Sequence, residues 1–165
     1  MVEMELVGVR VELPSNSPIV LLREVEGDRR VLPIFIGGPE ATAIAFALDE
    51  VSTPRPMTHD LMKDLLDELG SSVERIVVTG LRDGTFYAAI LVQANGDQHE
   101  VSSRPSDAIA LAVRTGSPIF ADEAVLDEAA YALEEDGEDD DEDSEQVVEE
   151  FKEFIDSVSP DDFAS

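Results

Sequence analysis

Three short segments of this 165-residue sequence set acids, a histidine and an arginine at positions that read as helix starts. In Arg55-Pro56-Met57-Thr58-His59-Asp60, a stiff proline segment runs into a helix capped near Thr58. A histidine there can act as a general base or a metal ligand, and free helix N–H groups attract phosphate. Ser103-Arg104-Pro105-Ser106-Asp107 repeats the arrangement. Arg104 has the planar fork that grips a phosphate through two N–H bonds, Asp107 can hold a metal or orient His59, and Ser106 can donate. Gly37-Gly38-Pro39-Glu40 is the third start, with one acid. If the three converge, they form a carboxylate-lined anion or metal site. The plainer reading is capping: Thr58, Asp60, Glu40 and Asp107 complement the helix dipole, and Arg104 sits in a salt bridge. His99, in a short polar strand, reads as a surface residue.

Several other chemistries are excluded. There are no cysteines, so disulfides, thiolate metal sites and a cysteine nucleophile are ruled out, and a reducing, cytoplasmic setting is expected. No phosphate-cradling glycine loop, His-Glu-x-x-His or Gly-x-Ser-x-Gly motif occurs. The start lacks the basic and apolar regions of a signal peptide, and the longest apolar run, Ala41 to Leu48, is far short of a membrane span. The net charge is −27, of which −15 lies beyond residue 133, where 16 acids meet only Lys152. Such a balance disfavours nucleic acid and favours basic partners, metals or solubility. The ten bases of residues 1–133 are scattered with no aromatic residues between them, so no stacking platform is visible.

Residues 1–133 read as one α+β domain, a mixed or antiparallel sheet packed with about four helices. Val7, Val9, Val11 and Leu13 alternate as a half-buried strand, and two β-rich runs, Ile19 to Leu22 and Val31 to Ile36, complete a meander. Arg82-Asp83-Gly84 is a hairpin turn between Val73–Leu81 and Thr85–Val92. Helices are expected over Ala41–Leu48, from Thr58 with Leu61, Leu65, Leu66 and Leu69 inward, over Ala108–Arg114, and from Asp122 through Leu133. The small residues of the first and third of these allow close packing between two copies. Residues 134–165 form an acidic tail too poor in apolar groups to fold, with a short amphipathic helix near 146–158 that wants a protein partner or docks back on the body.

Four motifs then carry a resemblance over about residues 2–130: Leu32-Pro33-Ile34-Phe35-Ile36-Gly37 with Glu40-Ala41; Arg55 to Leu61; Asp83-Gly84-Thr85-Phe86-Tyr87-Ala88; and Arg104 to Ala112. In this order they resemble the bacterial bifunctional nuclease domain. The resemblance implies a homodimeric α+β scaffold that hydrolyses DNA and RNA. It points to His59, Asp60, Asp107 and Glu40 as candidate catalytic residues, and to Arg104, Arg55 and Ser106 as candidate phosphate ligands. A divalent metal, Mg or Mn, is compatible with that chemistry. The alternative is a non-catalytic homodimeric module that binds a small anion or a partner protein.

Overall fold

A computed structural model of the chain describes residues 1–132. The expected boundary at residue 133, the acidic tail and the helix near 146–158 therefore lie outside the described residues. Within them, seven strands form one sheet: β1 (Val2–Glu12), β2 (Ser17–Glu24), β3 (Val31–Phe35), β4 (Ser72–Arg82), β5 (Thr85–Ala94), β6 (Asp97–Ser103) and β7 (Ile119–Ala121). Their order is β3-β2-β1-β7-β4-β5-β6. Two antiparallel meanders are joined by β7, which runs antiparallel to β1 and parallel to β4. Four helices complete the α+β architecture: α1 (Gly38–Leu48), α2 (Thr58–Glu68), α3 (Pro105–Thr115) and α4 (Glu123–Ala129). None of these helices is long and apolar enough to cross a membrane.

Local chemistry explains the connections. Asp83 and Gly84 both take positive φ, 51° and 73°, which gives the tight turn whose twist matches the two flanking strands. Proline opens α1 and α3, where a missing N–H costs nothing, and Gly116 closes α3 in the left-handed conformation. One face of the sheet, including Val20, Leu22, Leu32, Ile34, Ile76, Val78 and Ile90, forms a single buried core with α1, α3 and α4. Ala108, Ala110 and Ala112 of α3 are fully buried, and their small side chains let α1 and α2 pack against α3.

Helix α4 is fixed by charge as well as by Val125 and Leu126. Arg30 Nη2 donates to Glu24 Oε1 at 2.7 Å and to Glu123 Oε1 at 2.6 Å, and its Nη1 reaches Asp127 at 3.0 Å. The backbone N–H of Arg30 also donates to Glu24 Oε2 at 2.8 Å. The Glu24 carboxylate, 3% exposed, thus has its charge matched and hydrogen-bonded.

Several elements depart from the pattern expected of the sequence. On α2 only Leu66, with Met62, packs on the core, whereas Leu61, Leu65 and Leu69 are exposed. The leucines at positions 61, 65 and 69 share one stripe, and the docking of α2 on α3 turns that stripe outward. The β1 alternation breaks at a bulge between Leu6 and Gly8, so Val9 is buried and Val7 exposed, and Leu13 falls beyond the strand. Helix α4 stops at Ala129 rather than Leu133. Ala130 is already extended, and Tyr131 exchanges two backbone bonds with Val31 at the free edge of β3. The small faces of α1 and α3 are used within the subunit and are not free for a second copy.

Candidate functional site

The starts of α1, α2 and α3 meet on one side of the core. His59, the first-turn histidine of α2, is 7% exposed, and its Nε2 lies 2.9 Å from Asp107 Oδ1. Arg104, just ahead of α3, donates from Nε to Asp107 Oδ2 at 2.8 Å and from Nη2 to Glu40 Oε1 at 3.0 Å. Glu40, Arg104, Asp107 and His59 therefore form one continuous chain of hydrogen bonds across three helix starts. The Arg104 side chain is 65% exposed, so the pair with Glu40 contributes only about 0–1 kcal/mol and can open at little cost.

Burial raises the Asp107 carboxyl, but the hydrogen bonds from Arg104 and His59 outweigh it and hold it below the usual carboxylate range. The hydrogen bonds from Asp107 and Glu40 raise Arg104 in turn, so it stays charged. An ionised carboxylate can only accept. The proton between His59 and Asp107 is accordingly assigned to Nε2, which leaves Nδ1 as the basic nitrogen of the neutral ring.

The remaining candidates are placed differently. Asp60 accepts from Arg114 Nε at 2.7 Å and from the Met57 N–H at 3.0 Å, so it caps α2 in place of Thr58, which is already helical. Burial raises the Asp60 carboxyl, and the Arg114 and Met57 bonds lower it further than burial raises it. Arg114 also donates to the carbonyls of Ala43 and Ala110, at 3.0 and 2.8 Å, and so locks α1, α2 and α3 together. Its position in the last turn of α3 signals only a favourable dipole, and nothing in the sequence marks this bridging role. Arg55 is exposed in the loop before α2 and joins no ion pair of the cluster. His99 is exposed on β6, as expected.

Beside the cluster is an open cleft of about 350 Å³. It is lined by the end of β3 with Phe35 and Gly37, by the β4–β5 turn with Thr85 and Phe86, and by Arg104 and Ser106. Arg104 belongs to both cleft and cluster, whereas His59, Asp107 and Glu40 do not line the cleft. A side chain on Gly37 would displace the Glu40 carboxylate, so this glycine leaves room for Glu40 to reach Arg104. Phe35 and Phe86 stand next to the arginine in space although neither is near it in sequence.

The donor set does not fit a divalent ion held by protein alone. Among the described residues no three His, Asp or Glu side chains gather as a metal group. The carboxylates of Asp107 and Glu40 both face a guanidinium.

Residues 20–134 match the family model described as the bifunctional nuclease domain. An uncharacterized protein of Mycobacterium tuberculosis is 48% identical over 163 residues, covering 98% of this chain and 97% of its own length. Bifunctional nuclease 2 of Arabidopsis thaliana is 30% identical over 112 residues, 65% of this chain but 34% of the plant protein. Bifunctional nuclease 1 of Oryza sativa subsp. japonica is 26% identical over 114 residues, again 34% of its length. With more than half of its length matched by that family model, the chain belongs to the bifunctional nuclease domain family.

Proposed function

We propose that this chain hydrolyses phosphodiester bonds in DNA and RNA at the Glu40–Arg104–Asp107–His59 cluster. The observation that carries the reading is the 2.9 Å His59–Asp107 pair joined to an exposed arginine at the edge of an open cleft. Arg104 leaves Glu40 and takes the substrate phosphate, neutralising charge that grows as a nucleophile attacks phosphorus. Asp107 keeps the His59 ring in one orientation. Because His59 is buried outside the cleft, Nδ1 accepts the proton of the attacking water only once the substrate phosphate has drawn Arg104 off the cluster. The oxygen of that water bonds to phosphorus while the P–O bond to the leaving nucleotide breaks, and the leaving oxygen takes a proton from solvent. Ser106, at the start of α3, donates to a phosphate oxygen.

None of these residue roles depends on a metal ion. A Mg²⁺ or Mn²⁺ ion is normally bound by one or two carboxylates together with substrate phosphates, so ion recruitment would first require Arg104 to release Asp107 or Glu40. The test is cleavage of end-labelled DNA and RNA by the full-length chain in Mg²⁺, in Mn²⁺ and in chelator. Cleavage of both polymers is expected, and no cleavage of either under any condition overturns the reading. A second reading, a non-catalytic module that binds a small anion, is favoured by the net charge of −27 and by the double ion pairing of Arg104.

The proposal includes a cytoplasmic homodimer. Leu61, Leu65 and Leu69 present an apolar stripe at four-residue spacing on the outer side of α2, a face suited to a second copy of the same helix. Sedimentation at micromolar concentration is expected to give twice the 17.9 kDa chain mass. Leu65→Asp is expected to return the 17.9 kDa species with its fold intact, because Leu65 is exposed. A 17.9 kDa species from the unaltered chain contradicts the dimer.

A further inference from the structure

The cleft beside Arg104 has features that the hydrolytic cluster does not use. Phe35, at the last position of β3, is 58% exposed and lines the cleft, so its ring is open to a bound group. Phe86, at the start of β5, lines the same cleft and packs partly against the core, so it forms a firm wall. Ser106 is 6% exposed and lines the cleft, and its hydroxyl has no hydrogen-bond partner among the described residues. That hydroxyl is not among the buried polar atoms left unpaired, so it is open to the cleft and free to donate to a bound group. Arg104 closes one end with a positive charge, and no acidic side chain lines the cleft.

We propose that this cleft holds one unpaired nucleotide, its base against Phe35 and Phe86 and its phosphate on Arg104 and Ser106, so that the substrate is single-stranded nucleic acid. This deepens the proposed function by naming the strand state of the substrate, and it is measured as binding, separately from cleavage. About 350 Å³ is at the small end of ligand pockets and accommodates one base. In a duplex each base face is covered by its neighbours, so an aromatic ring reaches that face only once the base is unstacked. Stacking is tolerant of sequence because every base has a π-face. The acidic surroundings limit phosphate contacts to one or two.

The test is fluorescence anisotropy of the full-length chain in chelator with labelled dT12, U12 and the dT12·dA12 duplex. The two single strands are expected to bind with similar affinity, and the duplex at least tenfold more weakly. Phe35→Ala is expected to weaken dT12 binding by about 5- to 100-fold, the range for losing one stacked base, while Phe35→Trp retains it. Because Phe35 is exposed, both variants keep the fold. The plot of log affinity against log salt is expected to have a slope of only about −0.7 to −1.4, one or two phosphates on a single strand. Equal binding of duplex and single strand, or an unchanged affinity in Phe35→Ala, overturns the proposal. Binding of dT12 without any hydrolysis in metal-containing buffer instead removes the nuclease reading and leaves the cleft assignment standing.

Discussion

Replacing His59 with alanine is expected to lower the rate of phosphodiester cleavage by about 10²–10⁴-fold, the usual contribution of a positioned general base. Asp107→Asn is expected to fall in the same range for a different reason. The amide can meet Nε2 as acceptor or donor, so the imidazole is no longer confined to the tautomer with a bare Nδ1. It also takes away the charge that stabilises the protonated ring. Substrate affinity is expected to change little in His59→Ala, since that side chain neither lines the cleft nor touches Arg104. Arg104→Ala should do the reverse and raise KM along with its effect on turnover. His59 is buried, so its alanine variant leaves a void; His59→Gln fills that space without supplying a base and serves as the second variant. Turnover within threefold of the parent in His59→Gln and Asp107→Asn, with unchanged melting temperature, would show that the pair only ties α2 to α3.

The second large effect concerns stability. Arg30→Ala strands the Glu24 carboxylate in the core, where its own backbone partner, the Arg30 N–H, is the one donor left. Breaking a buried pair by removing one member costs about 3–5 kcal/mol. Arg30 is 19% exposed, which places the loss near the lower limit, about 3 kcal/mol, or roughly 10 °C in Tm for a domain of this size. The two outer pairs, to Glu123 and Asp127, contribute little because both acids face solvent. Glu24→Met combined with Arg30→Met is expected to recover most of the loss, since no charge is then left buried. The pair also sets an acid limit. The Arg30 side-chain bond lowers the Glu24 carboxyl more than burial raises it. Its contribution is thus complete above the ordinary value of 4.5 and disappears as pH falls through the lower folded value. The stability of Arg30→Ala should therefore fall less steeply below pH 4.5 than that of the parent. A denaturation midpoint shifted by less than 0.5 kcal/mol at pH 7 would refute the structural role.

What the sequence determined by itself is local. The Asp83-Gly84 turn, the proline starts of α1 and α3, the Gly116 stop and the β4–β5 hairpin are each encoded within a few neighbouring residues, because φ restrictions, capping and short-period patterning act over that range. The resemblance in four ordered motifs identified the family for the same reason, since motifs are local strings. Tertiary structure decided what depends on separation in the chain. Leu61, Leu65 and Leu69 have a helical spacing that suits either side of α2, and only its docking on α3 shows which side is dry. Asp60 and Asp107 are both first-turn acids beside a basic or histidine partner, yet one meets Arg114 and the other meets Arg104 and His59. No pattern of composition separates them, because an ion pair has no periodicity. The bases looked scattered, with no aromatic residue among them. Folding nevertheless brings Arg104 beside Phe35 and Phe86, at the end of β3 and the start of β5, because the end of β3, the β4–β5 turn and the start of α3 close on the same cleft.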